Sequence, residues 1–131
     1  ERLRPILERL KAADCRVSLF MDPDPEAIAL CGKLGGVDRV ELYTEPYAAS
    51  FTDGPNKAIL QSYVDSAKAA VDAGLGINAG HDLNLQNLGP FLDAVPGVEE
   101  VSIGHALIAD ALFMGLTEVV RRYRALCGDH R

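Results

Sequence analysis

Two histidines each follow a glycine at the end of a short apolar stretch, in Ile77-Asn78-Ala79-Gly80-His81 and Val101-Ser102-Ile103-Gly104-His105. Histidine exchanges a proton near neutral pH, and a preceding glycine lets a ligand approach the backbone. The histidines stand 24 residues apart, about one strand–helix unit. In a parallel α/β fold both then arrive at the carboxyl ends of the strands, the rim where such folds bind ligands. His81 reads as a general acid or base; its alternative is a turn cap with Asp82 as a local hydrogen-bond partner. Gly104-His105 falls where a helix begins, and free N–H groups there suit an anion such as phosphate. Its alternative is a glycine that only permits close strand–helix packing. Glu41 is the third candidate, a carboxylate just below the same rim that would stabilise positive charge or orient a reacting group. Its alternative is an ordinary ion pair with Arg39 or a lysine.

The remaining polar clusters read as structural. Asp22 and Asp24 resemble a metal or phospho-acceptor pair, but a turn accounts for Asp22 and helix capping for Asp24. No metal set is expected. Arg121, Arg122 and Arg124 solvate the last helix and complement its dipole. Cys15, Cys31 and Cys127 lie far apart without metal-ligand spacing, and read as buried free thiols in a reducing, cytoplasmic compartment.

The elements that must position these groups follow from apolar spacing. Leu3, Ile6, Leu7 and Leu10 predict a helix over Arg2–Ala13. Arg16–Met21 reads as a strand buried mostly on both faces, and Asp24-Pro25 opens a helix using Ala27, Ile28, Cys31 and Leu34 until Gly35-Gly36 stops it. Val37–Thr44 is the second strand, with Arg39, Glu41 and Tyr43 on one side and Val40 and Leu42 on the other. Glu45–Pro55 is expected to be irregular, a lid or an oligomer contact. Asn56–Ala73 is a long helix whose inner side carries Ile59, Leu60, Tyr63, Val64, Ala67, Ala70 and Val71. Leu75–Gly80 is the third strand, Asn87–Asp93 a short helix, and Glu100–Ile103 the fourth strand. Ala106–Met114 and Leu116–Leu126 are the last helices, the latter burying Val119, Val120, Tyr123 and Leu126. Four strand–helix units in this order call for a parallel sheet with right-handed crossovers.

The 131 residues suit one structural unit with a real core, and no linker or low-complexity tract divides them. An eight-unit barrel needs about 250 residues, so four units make half of one. The strands at Arg16 and Glu100 would then be edges without inward lysines, awaiting partners. A net charge of −6 argues against nucleic acid as a partner, while a small anion remains compatible with local backbone donors. No apolar run reaches the roughly 18 residues of a membrane span. The chain opens with Glu1 rather than Met, and Glu1–Lys11 is charged and amphipathic without a signal-peptide core, as in a piece cut from a longer chain.

Four segments in order, Arg16–Asp22, Val40–Thr44 with Tyr47-Ala48, Asn78–His81 and Ile103–Ala106, resemble the second half of pyridoxine 5′-phosphate synthases over essentially the whole chain. The resemblance implies a TIM barrel, of which these would be strands 5 to 8. It also implies a cofactor-free ring-closing condensation, of the transferase type, in vitamin B6 biosynthesis. In it 1-deoxy-D-xylulose 5-phosphate and 3-amino-2-oxopropyl phosphate give pyridoxine 5′-phosphate, phosphate and water. By resemblance His81 is the proton donor and Glu41 stabilises the transition state. Asp82, Gly104 and His105 bind the amino-oxopropyl phosphate, and the assembly is a homo-oligomer, an octamer in the family.

Many members of that family carry glycine where this chain has Asp82 and Glu45, so a contact at residue 82 would use its backbone N–H. The family's other acid–base and substrate-binding groups belong to the first four strands, which are not in this sequence. The isolated chain is therefore expected to be inactive. Two further readings stand beside this one: a half-barrel that binds small phosphate esters without catalysis, and a remnant whose open strand edges drive dimerisation.

Overall fold

The computed structural model describes residues 2–128; Glu1 and residues 129–131, which the sequence reading included, lie outside the described residues. The chain runs α1 (Arg4–Ala12), β1 (Ser18–Met21), α2 (Pro25–Gly32), β2 (Arg39–Leu42), α3 (Glu45–Ser50), α4 (Lys57–Asp72), β3 (Gly76–Ala79), α5 (Leu88–Ala94), β4 (Val98–Val101), α6 (His105–Met114) and α7 (Leu116–Gly128). The four strands form one parallel sheet in the order β1-β2-β3-β4, the arrangement expected of half of a TIM barrel.

Register divides the sheet into two faces. Leu19, Val40, Ile77 and Val98 are aligned, as are Met21, Leu42, Ala79 and Val101, and these apolar rows join the core with α2, α4 and α5. Phe20, Glu41, Asn78 and Glu100 form the row between them and point to the opposite face. Glu41 is thus displayed by a strand whose alternate residues, Val40 and Leu42, are wholly buried.

The other face has a charged floor. Arg39 donates from Nη1 to Asn78 Oδ1 at 3.0 Å and from Nη2 to Glu99 Oε2 at 2.5 Å. The register shift in β4 brings Glu99 within its reach. Arg16, just before β1, bonds Glu100 of β4 at 3.0 Å. In a flat sheet those strands would stand about 14 Å apart, so this bridge marks a sheet curved toward the charged face.

Local capping explains several boundaries. Asp24 accepts from the N–H groups of Glu26 and Ala27, with Pro25 opening α2, and Asn56 does the same for Ala58 and Ile59 of α4. Elsewhere packing redraws the expectation. Glu45–Pro55 is not irregular throughout: Glu45–Ser50 is helical because Tyr47 inserts completely into a cluster with Phe51, Tyr63 and Phe91. The fourth strand begins two residues earlier than predicted, at Val98. Val71 and Val120, predicted to face inward, are 54% and 38% exposed. Leu3, which precedes α1, and Ile6 and Leu10 within it are exposed as well, and Leu7 alone of the predicted stripe is buried.

All three cysteines are free thiols; Cys31 is buried, whereas Cys15 and Cys127 are only partly so. Among the described residues no helix is long and apolar enough to cross a membrane. No set of three His, Cys, Asp or Glu side chains converges there as a metal site.

Candidate active site

His81 follows β3 with only Gly80 between, and its Nδ1 lies 3.3 Å from Oε1 of Glu41 on the neighbouring strand. The strand register places Asn78 opposite Glu41, so three further residues carry the chain up to the rim and the imidazole folds back over the carboxylate. His81 is 60% exposed at its side chain and Glu41 21%, which leaves the imidazole open to a ligand while the carboxylate sits beneath it. Of the alternatives for Glu41, a pair with Arg39 is excluded by geometry, since Arg39 turns to Asn78 and Glu99. The alternative for His81, a local bond with Asp82, gives way to the pair with Glu41.

Phe20, on the same face, meets the His81 ring edge-on at 5.0 Å between centroids and Tyr43 at 5.4 Å. It is 53% exposed, an apolar wall beside the Glu41–His81 pair that the sequence reading did not single out.

The second Gly-His end lies alongside the first. Ser102 N–H donates to the Ala79 carbonyl at 2.9 Å, and Gly80 packs directly on Ser102. A cleft of about 1150 Å³ spans both ends, lined by Gly80, His81, Asp82, Gly104, His105 and residues of α6. Gly104 occupies the N-cap position of α6 and His105 its first turn, so unpaired N–H groups of that helix open on the cleft. The packing alternative for Gly104 fails, because a Cβ there would meet no atom within 4 Å. Asp82 has φ of +63°, the left-handed conformation that glycine adopts freely and aspartate tolerates. Its side chain is exposed at the cleft edge.

The rim is tied together by buried polar groups. The Thr44 hydroxyl donates to the His81 carbonyl, and Asn87 Nδ2 donates to the Asp82 carbonyl at 3.2 Å. Tyr47 donates its hydroxyl to the Asn87 carbonyl at 2.8 Å, and burial pushes that phenol's pKa up to about 12. The sequence signal for this network was the asparagine-rich stretch from Asp82 to Asn87, a pattern typical of side-chain-bonded turns. Thr44 gave no signal beyond ending a strand.

A parallel sheet with its titratable groups, its cleft and a helix N-terminus gathered at the carboxyl ends of the strands defines the chain as one half of a TIM-type (β/α)8 barrel. Comparison with known proteins agrees and goes further. Residues 1–129 match the family described as pyridoxal phosphate biosynthesis protein PdxJ. The pyridoxine 5′-phosphate synthase of Albidiferax ferrireducens is 55% identical over 122 residues, covering 93% of this chain and 48% of the relative. The synthase of Xylella fastidiosa is 53% identical over 121 residues, 92% of this chain and 46% of the relative. That of Xanthomonas campestris pv. campestris is 50% identical over 125 residues, 95% and 48%. The chain belongs to the PdxJ family of pyridoxal phosphate biosynthesis proteins. It spans about half the length of the curated relatives it matches.

Proposed function

We propose that this chain supplies the carboxyl-terminal half of a pyridoxine 5′-phosphate synthase site, acting as one unit of a complete barrel. The observation that carries this reading is the Glu41–His81 pair, 3.3 Å apart, beside a cleft that reaches the N-terminus of α6. His81 donates the proton in the condensation of 1-deoxy-D-xylulose 5-phosphate with 3-amino-2-oxopropyl phosphate, and Glu41 beneath it stabilises the positive charge that develops. The phosphate of the amino-oxopropyl substrate is held by Gly104 and His105, where helix N–H groups favour an anion, and by the backbone N–H of Asp82. No cofactor takes part in this scheme. The complete enzyme is a cytoplasmic homo-oligomer, octameric as in the family the motifs resemble.

The half-site cannot place both substrates, so the 131-residue chain alone is inactive. Pyridoxine 5′-phosphate formation is to be measured with this chain alone and with the amino-terminal half of a relative co-expressed. Product is expected only in the second case, and there it falls by about 10²-fold or more on His81→Asn or Glu41→Gln. Turnover by the isolated chain, or full activity of His81→Asn in the assembled enzyme, overturns this reading. The cleft across both Gly-His ends also favours a second reading, a half-barrel that binds phosphate esters without catalysis. Its mark is stabilisation by phosphate esters with no product in either preparation.

A further inference from the structure

Thr44 and Asn87 stand at the N-cap positions of α3 and α5, yet neither side chain caps its helix. Both are residues that ordinarily spend their side chains on that bond. Both are buried, Thr44 completely and Asn87 at 2% exposure. Their polar atoms go instead to two successive carbonyls of one turn, Thr44 to His81 and Asn87 to Asp82. Asn87 is itself fixed, its Oδ1 accepting from Asn84 N–H at 2.7 Å and its carbonyl accepting from Tyr47.

We propose that Thr44 and Asn87 are positioning residues for the His81–Asp82 turn, and that their hold on its carbonyls presents the Asp82 N–H to a phosphate in the cleft. In a trans peptide the C=O and the following N–H point in opposite directions. With the His81 carbonyl drawn inward to Thr44, the Asp82 N–H turns outward, and among the described residues it donates no hydrogen bond. Asp82 lines the cleft and Thr44 does not. Thr44 and Glu41 also belong to one strand end, so the same segment holds residue 81 at its carbonyl and faces its imidazole. The left-handed backbone at Asp82 then sends the next carbonyl back inward to Asn87. The phosphate part of this inference rests on the function proposed above; the hold itself rests on geometry alone.

The test uses the isotope-labelled 131-residue chain and inorganic phosphate as the probe. In the wild type, phosphate is expected to shift the Asp82 amide resonance, and the Thr44 hydroxyl proton is expected to exchange slowly enough to be observed beside residue 81. Thr44→Val and Asn87→Ala lose the phosphate-induced shift at Asp82, whereas Thr44→Ser, which keeps the hydroxyl, retains it. An Asp82 response in Thr44→Val equal to the wild type overturns the proposal. A Thr44 hydroxyl proton in fast exchange with water overturns it too, and this observation decides the matter if the valine variant fails to fold. Absence of any wild-type response, with the hydroxyl proton in place, removes the phosphate from the proposal and leaves the hold on the turn. Activity is not part of this readout, so the role of His81 stands or falls separately.

Discussion

Gly80 lies so close to Ser102 that a Cβ at residue 80 would sit 2.1 Å from the Ser102 carbonyl oxygen and 2.9 Å from its nitrogen. The obstruction is backbone on both counts and cannot swing aside. Gly80→Ala must therefore part the ends of β3 and β4, at a cost of about 3 kcal/mol or more. Gly104, with open space where its Cβ would stand, should lose less than about 1 kcal/mol on the same substitution. Urea unfolding of the two variants checks this, and equal costs would contradict the packing described.

That contrast separates what the sequence discloses from what it hides. The two Gly-His segments look alike on paper because both end an apolar run. Only the approach of two strands, a tertiary fact, makes one glycine obligatory and the other free. The same division holds elsewhere. Asp24 announced its helix because a cap is a local bond between near neighbours. Tyr47 gave no local signal for α3, since what orders that segment is contact with Tyr63 and Phe91, brought from other helices. Glu41 and His81 were legible as candidates, but their pairing needed the register of β2 on β3. Val71 and Val120 misled because an apolar residue on an α/β helix belongs to the core only where a second layer covers it.

Asp82 tests the conformational reading of the rim. At φ of +63° an L-residue is disfavoured, by about 1–2 kcal/mol in general and less for aspartate, while glycine pays about 0.5–1 kcal/mol in unfolded-state freedom. Asp82→Gly is therefore expected to leave stability within about 0.5 kcal/mol of the wild type or to raise it slightly. Asp82→Val, β-branched and unable to bond its own backbone, should lose about 1–2 kcal/mol. Denaturant midpoints distinguish the cases. A glycine variant weakened by more than about 1 kcal/mol would mean that the Asp82 carboxylate itself holds the turn.

Arg39 and Gly76 should be coupled. A Cβ on Gly76 would meet Arg39 Cγ, Cζ and Nη1 at 3.0 Å, so the guanidinium lies flat across β3 on its way to Asn78 and Glu99. Gly76→Ala in the wild type displaces that side chain and is expected to cost about 1–2 kcal/mol. In an Arg39→Ala background the obstruction is gone and alanine is the better strand residue, so the same change becomes neutral or favourable. The double-mutant cycle should give a coupling of at least about 0.5 kcal/mol. Strict additivity would show that Arg39 does not cross the strand as described.

Acid should loosen two charged contacts at the far ends of the chain. Arg121 holds the Glu118 carboxyl at a pKa of about 2, with Arg122 adding to the effect; its ordinary value is 4.5. The Val17 N–H and then Lys11 lower the Asp38 carboxyl in the same direction. A carboxylate whose folded pKa is depressed binds protons more readily unfolded than folded. Its contribution is complete above the unfolded value near 4.5 and is lost as pH falls toward 2. Both groups are open to solvent, so the effect is modest and salt weakens it. Urea midpoints taken at neutral pH and at steps down through this window should fall for the wild type. They should fall less steeply for Glu118→Gln and for Asp38→Asn, most clearly at low ionic strength. An unchanged slope in Glu118→Gln would show that the arginines of α7 solvate the helix without stabilising its fold.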